Sequence, residues 1–248
     1  MRVAAIYDLH GNLPALDAVL DQIDRMQVDL IVVGGDVAAG PLPGQTIERL
    51  MALGDRARFV RGNADREMVN AFDGVPFEPG TPAPLQAVAA WTAQQIDHTQ
   101  RDFLASFEPT VTLPISGVGD VLFCHATPRN DTDVFTVNTP GERLYDAFAG
   151  VTASLVVCGH THMQFDRIVG LTRVINAGSV GMPYGKAGAY WLLLDQSITF
   201  QHTPYDLHAA ADLIRRSGYP QAEDFADNNV LKPATAGEAL AVFDQMAV

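Results

Sequence analysis

The stretch VAAIYDLHGNLPALDAVL, residues 3–20, decides the fold. Its apolar start, residues 3–7, is short and is typical of a buried strand. Residues 13–26 then space their apolar side chains as one face of a helix does. A polar turn that contains Asp8 and His10 separates the two segments. A strand that leads through such a turn into a helix indicates an α/β protein.

The same unit recurs along the first quarter of the chain. Residues 29–34 predict a second strand, residues 45–54 a second helix and residues 57–61 a third strand. Because parallel strands need a crossover connection, which is usually a helix, this alternation predicts a parallel sheet.

Helical patterns return in the middle and at the end of the chain. A loop rich in proline and glycine leads into residues 85–107, whose spacing is helical, so residues 76–108 are expected to form a helical cap or insertion. A shorter helix is predicted over residues 141–149. More helix is expected after Tyr205, and residues 205–248 are assigned to a C-terminal helical extension.

Strand-like runs dominate between these helical parts. They are short and often separated by turn residues, a pattern typical of β-rich segments. The runs cover residues 110–115, 121–124, 154–158, 165–169, 173–175, 189–194 and 198–202. With no repeat or linker in view, the simplest interpretation is a single α/β domain, residues 1–248, with two packed sheets.

Composition narrows the class of protein. The chain has 248 residues, 48% hydrophobic and 18% charged, with a net charge of −13. That charge argues against general nucleic-acid binding. No apolar run approaches the roughly 20 residues that cross a bilayer, and the N-terminal run ends at Asp8, so we expect a cytoplasmic protein without a membrane partner. The oligomeric state is left open.

Metal-ligating side chains follow five of the predicted strands. These residues are Asp8, His10, Asp36, Asn63, His125, His160 and His162. Sites in open α/β sheets form where the carboxyl ends of strands meet, so we expect the set to converge. Carboxylates and imidazoles suit divalent Mn, Fe, Zn, Ni or Co. Two such ions need a bridging ligand, and Asp36 could supply it.

Several other side chains are weaker candidates. Cys124 and Cys158 each stand close before a candidate ligand histidine, His125 and His160, and would allow a mixed Cys/His zinc site, but strand alternation favours buried structural roles. Trp91 of the expected cap could stack on a base. Among the cations that could meet a phosphate, which are Arg61, Arg66, Arg129 and Lys186, we favour Arg129 because it lies close after His125. His98, His202 and His208 are interpreted as surface or structural residues.

The order of these motifs resembles the calcineurin-like metallophosphoesterase superfamily, above all its compact bacterial and archaeal phosphodiesterase branch. The family pattern D-x-H…G-D…G-N…H…G-H-x-H is met by Asp8/His10, Gly35-Asp36, Gly62-Asn63, His125 and Gly159-His160-Thr161-His162. The segment NAGSVG, residues 176–181, looks like the family's N-P-G-S loop, with Ala177 in place of proline.

The resemblance implies a four-layer αββα sandwich of two mixed sheets flanked by helices. It assigns one divalent metal ion, with Mn²⁺ favoured, to Asp8, His10, Asp36 and His162, and a second to Asp36, Asn63, His125 and His160. It also implies hydrolysis of phosphodiester or nucleotide-polyphosphate bonds by a hydroxide that bridges the metals. Catalytic roles fall to Asp36, Asn63 and His10, and substrate contacts to Asn63 and Arg129. The expected partner is a small phosphorylated substrate, nucleotides included.

The chain departs from the family pattern at two positions. Ala64 stands where many members carry a histidine as candidate general acid, so we expect better activity on esters with good leaving groups. Tyr7 stands where small residues are usual, and it either narrows the site or packs. The alternatives are a non-catalytic interaction scaffold on the same fold, a phosphomonoesterase and, less favoured, a zinc hydrolase that cleaves another bond.

Overall fold

The computed structural model describes residues 1–248 and contains ten strands and nine helices. The strands are β1 (Val3–Ile6), β2 (Leu30–Val33), β3 (Ala57–Phe59), β4 (Thr110–Ile115), β5 (Gly119–Cys124), β6 (Leu155–Cys158), β7 (Phe165–Val169), β8 (Thr172–Asn176), β9 (Ala189–Leu194) and β10 (Ile198–Thr203). The helices are α1 (Leu13–Arg25), α2 (Pro43–Met51), α3 (Asn63–Phe72), α4 (Ala83–Ala93), α5 (His98–Ala105), α6 (Gly141–Leu144), α7 (Leu207–Arg215), α8 (Ala222–Phe225) and α9 (Ala236–Met246). A 3₁₀ turn covers Gly54–Arg56 and a π-helical turn covers Ala226–Leu231.

The strands form two mixed five-stranded sheets. The first has the order β10-β9-β1-β2-β3, and its β1, β2 and β3 are parallel, as predicted. The second has the order β4-β5-β6-β8-β7, with β5, β6 and β8 parallel and antiparallel strands at both edges. The parallel strands of each sheet therefore end at one edge, where loops can meet.

Alternation along the strands builds the core between the sheets. Val3, Ala5 and Tyr7 are fully buried among residues of the second sheet. Ala4 and Ile6, which point to the other face, pack among the helices of the first outer layer. A strand buried on both faces is apolar throughout, which explains the continuous run at the N-terminus.

Helices cover the outer faces of the two sheets. Leu16 of α1, Ile47 of α2, Met68 of α3 and Leu104 of α5 share the core on the outer face of the first sheet. The second sheet is covered by α6 and neighbouring turns through a cluster that includes Phe135, Leu144 and Phe148. The layers are therefore helix, sheet, sheet and helix, as the four-layer αββα sandwich requires.

Two helix predictions need correction. The sequence pattern predicts no helix over residues 63–72, where α3 lies, because Met68 is the only fully buried apolar side chain of that segment and the apolar stripe is weak. The helix predicted over residues 141–149 covers only Gly141–Leu144. Beyond it the backbone tightens, with the Ala147 N–H donating to the Leu144 carbonyl.

The other helical predictions are confirmed at the level of elements. Residues 85–107 form α4 and α5, and helices follow Tyr205. The last part packs as a separate cluster of α7, α8 and the π-helical turn, with Trp91 of α4 against it. None of the helices combines the length and the apolar character needed to cross a membrane.

Candidate metal centre

The seven predicted ligand residues meet at the carboxyl ends of the parallel strands. Two sets of three lie close enough for one ion each: the ligand atoms of Asp8, His10 and His162 lie within 4.8 Å of one another, and so do those of Asp36, His125 and His160. We call them the first and the second ligand group. They come from the loops after β1, β2, β5 and β6, so the sheet topology assembles both.

Asp36 lies between the two ligand groups. Its Oδ2 is 3.4 Å from His125 Nε2 in the second group and 3.8 Å from His10 Nε2 in the first. Its Oδ1 accepts a hydrogen bond from the Ala64 backbone N–H at 2.8 Å. The carboxylate is thereby oriented, and one oxygen stays directed at both groups.

Hydrogen bonds fix the orientation of the imidazoles in the first group. His10 donates from Nδ1 to the Ala39 carbonyl at 3.2 Å, and His162 donates from Nδ1 to the Met182 carbonyl at 2.8 Å. In the neutral rings both Nε2 atoms then carry lone pairs, and these atoms lie only 3.2 Å apart. Two lone pairs that face each other need a cation or a proton near them, which is the donor arrangement of a metal site.

The second ligand group shows the same design. His125 donates from Nδ1 to the Gly34 carbonyl at 2.9 Å, and its Nε2 lies 3.2 Å from His160 Nδ1. The Asn63 side-chain oxygen lies 3.2 Å from His125 Nε2. With the amide rotated by half a turn, its nitrogen would instead donate to His160 Nδ1 at 3.1 Å. Asn63 therefore borders the second group in either orientation.

The buried carboxylate of Asp8 tests whether these residues fit a metal. Asp8 is fully buried, and its Oδ2 accepts the His160 N–H at 2.9 Å, but its Oδ1 has no hydrogen-bond partner. Burial raises the pKa of Asp8 because the charged form loses water without gaining a full set of donors. A divalent cation would supply the missing partner of Oδ1, so the residues fit the group.

Burial and charge act on the imidazoles in opposite directions. Burial lowers the pKa of His10, of His162 and, to about 4, of His160. These rings are therefore neutral near pH 7 and can donate a lone pair to a metal. Burial also lowers the pKa of His125, but the adjacent carboxylates, Asp36 first, outweigh it and raise this pKa to about 10. The negative charges that favour a proton there also favour a competing metal ion.

Backbone strain is concentrated in the same residues. Six non-glycine residues of the chain have positive φ, and five of them belong to the ligand set: Asp8, His10, Asp36, His160 and His162, with φ between 46° and 68°. The left-handed region is unfavourable for residues with a Cβ, and such strain clusters at functional sites.

Asp65 anchors two of the ligand loops, a role that no motif in the sequence predicts. Its carboxylate accepts three backbone N–H bonds at 2.9 Å each, from Asp36, Val37 and Gly62. Those donors lower the pKa of Asp65, but burial and, after it, the charge of Asp36 outweigh them and raise this pKa to about 7. A Cβ at Gly62 would lie 2.2 Å from Asp36 Oδ1, so only glycine allows this approach.

The NAGSVG segment anchors the remaining loops. Asn176 is fully buried and donates to the Gly159 carbonyl at 2.6 Å and to Thr161 Oγ1 at 3.1 Å. Ser179 donates from Oγ to the Asp8 carbonyl at 2.7 Å. The segment thereby connects the loop after β1 with the loop after β6.

Tyr7 and the cysteines have structural roles. Tyr7 is fully buried and donates its hydroxyl to the Val157 carbonyl at 3.0 Å, so it packs between the sheets. Cys124 and Cys158 are free and buried, and they belong to the core on the outer face of the second sheet, outside both ligand groups. The interpretation as buried structural residues is confirmed.

The remaining histidines lie away from the ligand groups. His202 contacts the Ala187 carbonyl at 3.0 Å, His98 packs edge-on against Phe72, and His208 is exposed. None of them takes the place that a histidine would have at position 64.

Arg129 and Tyr184 border the centre from two sides. Arg129 shares a cavity wall with His125, and its guanidinium pairs with Asp133 at 2.7 Å. Its predicted substrate contact stays a prediction. The Tyr184 ring stacks on His162, with centroids 6.0 Å apart; no motif pointed to it, since the contact joins two separate loops.

A comparison with protein-family models agrees with this geometry. The model for the calcineurin-like phosphoesterase superfamily domain matches residues 1–197. The chain belongs to the calcineurin-like phosphoesterase superfamily. Its resemblance in motif order and its predicted αββα fold are both confirmed, and the family implies divalent metals and an enzyme that hydrolyses phosphate esters.

The matches to individual proteins cover different shares of the chain. Phosphodiesterase YfcE of Escherichia coli is 26% identical over 210 residues, which cover 80% of this chain and 89% of that protein. A symmetrical bis(5'-nucleosyl)-tetraphosphatase of a Janthinobacterium species is 39% identical over 71 residues, 28% of this chain and 26% of that protein. The crystal structure of a hypothetical protein from Pyrococcus horikoshii has a TM-score of 0.79 and 20% identity, and the match covers 94% of this chain and 99% of that one. This last likeness shows the fold.

Proposed function

We propose that this chain is a dinuclear-metal-dependent phosphoesterase that hydrolyses phosphodiester or nucleotide-polyphosphate bonds in small substrates. The observation that carries the proposal is the position of Asp36 Oδ2, 3.8 Å from His10 Nε2 and 3.4 Å from His125 Nε2. A carboxylate oxygen within reach of two separate ligand groups is the bridging ligand that a pair of divalent ions requires.

The proposed ligand assignment follows the two groups. Asp8, His10, Asp36 and His162 would hold one ion, and Asp36, Asn63, His125 and His160 the other. When bound, two divalent ions, with Mn²⁺ favoured over Fe, Zn, Ni or Co, supply Lewis acidity that holds phosphate oxygens and activates water.

The side chains have complementary tasks in this proposal. The Ala64 N–H fixes one oxygen of Asp36, so the other stays on the bridging side. The Ala39 carbonyl directs His10 Nε2 toward the ion. An Asn63 whose oxygen faces the second group keeps its amide nitrogen free to donate to a substrate oxygen.

The class of ester is supported by two relatives and by one position of the sequence. YfcE is named a phosphodiesterase, and the Janthinobacterium relative is named for a nucleotide polyphosphate. Ala64 offers no proton to a leaving group, so poor leaving groups should react slowly. Equal rates on phenyl and alkyl phosphodiesters would contradict this preference.

The organisation of the chain belongs to the same proposal. We infer one domain over residues 1–248, with residues 76–108 as a cap and residues 205–248 as a C-terminal extension. Support comes from Trp91 of α4, which packs edge-on against Tyr219 with centroids 5.2 Å apart and joins the cap to the extension.

The proposal is tested with metal-stripped protein and Mn²⁺ added back. Bis-p-nitrophenyl phosphate should be cleaved in a Mn²⁺-dependent manner and faster than p-nitrophenyl phosphate. Asp36→Asn, which keeps the shape of the side chain, should abolish the activity, and the exposed control Asp55→Asn should keep it. A preference for the monoester would indicate a phosphomonoesterase. No cleavage with Mn²⁺, Ni²⁺, Co²⁺ or Zn²⁺ would favour a non-catalytic scaffold.

A further inference from the structure

A polar cavity of about 220 Å³ lies beside the second ligand group. His125 lines it, and so do three arginines, Arg61, Arg66 and Arg129. In a chain with a net charge of −13, three guanidinium groups beside a single lining carboxylate, that of Asp131, are a local concentration of positive charge. Such a concentration is typical of a site for an anion.

The three arginines differ in how many of their N–H groups are free to bind an anion. Arg66 gives Nε and Nη2 to Asp131 at 2.9 and 3.0 Å. Arg129 gives Nε and Nη2 to Asp133 at 3.1 and 2.7 Å. Both cations are thereby largely neutralised, and their outer N–H groups remain.

Arg61 is the exception, because its Nε is buried and has no hydrogen-bond partner. No carboxylate pairs with it, whereas its backbone is fixed by a 2.8 Å bond from its N–H to the Glu108 carbonyl. A buried donor on a charged group is unfavourable without an acceptor, so its presence calls for an explanation. The Nη groups of Arg61 also make no hydrogen bond within the protein, and they are not among its buried atoms, so they are the donors that an anion in the cavity would meet.

The position of the cavity relates this anion to the reaction site. Arg61 lies two residues before Asn63, and Arg66 lies in the first turn of α3, which begins at Asn63. The cavity is therefore adjacent to the second ligand group without sharing its carboxylates. His125 belongs both to the second ligand group and to the cavity wall, so the two sites are contiguous.

We propose that the cavity binds a second, uncleaved phosphoryl group of the substrate, with Arg61 as its principal contact. The inference rests on the proposed function and deepens it, because it selects esters with linked phosphoryl groups over simple diesters. Guanidinium groups suit phosphoryl oxygens through charge-assisted, planar hydrogen bonds.

The kinetic test uses inorganic tripolyphosphate as a competitor of bis-p-nitrophenyl phosphate at constant free Mn²⁺. In Arg61→Gln, the inhibition constant of tripolyphosphate should rise at least tenfold, while the KM of the diester and the inhibition constant of orthophosphate change less than twofold. Arg58→Gln is the matched control, since Arg58 is an exposed arginine on β3. Should Arg61→Gln fail to fold, Arg61→Lys keeps the charge and the stem and should still weaken tripolyphosphate.

A binding test separates this inference from the proposed function. Tripolyphosphate should raise the thermal midpoint of metal-stripped wild type and of Arg58→Gln, but not that of Arg61→Gln. Suppose that the protein cleaves the diester, but that Arg61→Gln has the same inhibition constant for tripolyphosphate and the same midpoint shift as wild type. That result would overturn the cavity assignment and leave the proposed function intact. Equal weakening of orthophosphate and tripolyphosphate would also overturn it, since Arg61 would then contact the cleaved group. Wild type that binds tripolyphosphate through Arg61 but cleaves nothing would overturn only the proposed function.

Discussion

Replacing Asn176 by alanine should loosen the loop that carries His160 and His162. The side chain makes three buried hydrogen bonds: it donates to the Gly159 carbonyl and to Thr161 Oγ1, and it accepts from the Gly178 N–H at 2.8 Å. At a net value of about 1 kcal/mol per bond, the loss is about 3 kcal/mol. A stability of roughly 5–15 kcal/mol leaves such a variant folded.

The consequence for metal binding follows from the position of the loop. His160 and His162 hold positive φ values of 68° and 58°, which the loop keeps only while its backbone is anchored. Because the two histidines belong to different ligand groups, Asn176→Ala should weaken the binding of both ions. The exposed Asn138 is the control, since its side-chain amide donates a hydrogen bond to Asp244 at the surface. Asn138→Ala should change the free energy of unfolding by less than about 0.5 kcal/mol.

Two measurements check this reasoning. Urea unfolding followed by circular dichroism, in the presence of EDTA, gives the change in the free energy of unfolding. Calorimetric titration with Mn²⁺ gives the affinity of the folded variant. A loss below about 1 kcal/mol would refute the energetic estimate. The full loss combined with wild-type Mn²⁺ affinity would refute the link between the anchor and the centre.

Three further predictions concern packing and metals. Gly34→Ala places a Cβ 1.9 Å from the ring of Tyr7 and should lower the free energy of unfolding, measured in urea, by about 1–3 kcal/mol. The loss should largely vanish in a Tyr7→Ala background, and equal losses in both backgrounds would contradict the clash. His160→Ala and His162→Ala should each reduce the calorimetric stoichiometry from two Mn²⁺ to one, whereas loss of both ions from either variant would argue against separate groups. EDTA should lower the thermal midpoint and Mn²⁺ should restore it, because an ion that binds only the folded state stabilises it; an unchanged midpoint would count against a resident metal.

The convergence of the predicted ligand residues at one edge could be predicted because their pattern is local. Each follows a short apolar run, and parallel strands end at the same edge, so position in the chain translates into position in space. Asp8 after β1 and Asp36 after β2 show this directly, since β1 and β2 pair in parallel register. The order of motifs then identifies the protein family, which composition and charge alone do not do.

The residues that support the ligands could not be predicted in the same way. Asp65 holds the backbone of Asp36 across 29 residues of chain, and Ser179 holds the Asp8 carbonyl across 171. Tyr184 meets His162 only because two loops come together at one edge. Such contacts depend on tertiary packing, and no periodicity along the sequence records them. The sequence pattern does not predict α3 either, since the apolar stripe of this helix is weak and its first turn takes part in the site.

The strained backbone explains why these anchors are buried and polar. A non-glycine residue in a sparsely populated region costs about 1–3 kcal/mol, so five of them cost at least about 5 kcal/mol, a large fraction of a typical free energy of unfolding. The strain persists because the side chains of Asp65, Asn176 and Ser179 form hydrogen bonds with the backbone of the same loops. A bound divalent ion would add to that restraint by fixing the side chains of the loops as its ligands. Variants of the anchors should therefore lose metal affinity at denaturant concentrations where the sheets are still intact, since the loops give way before the core.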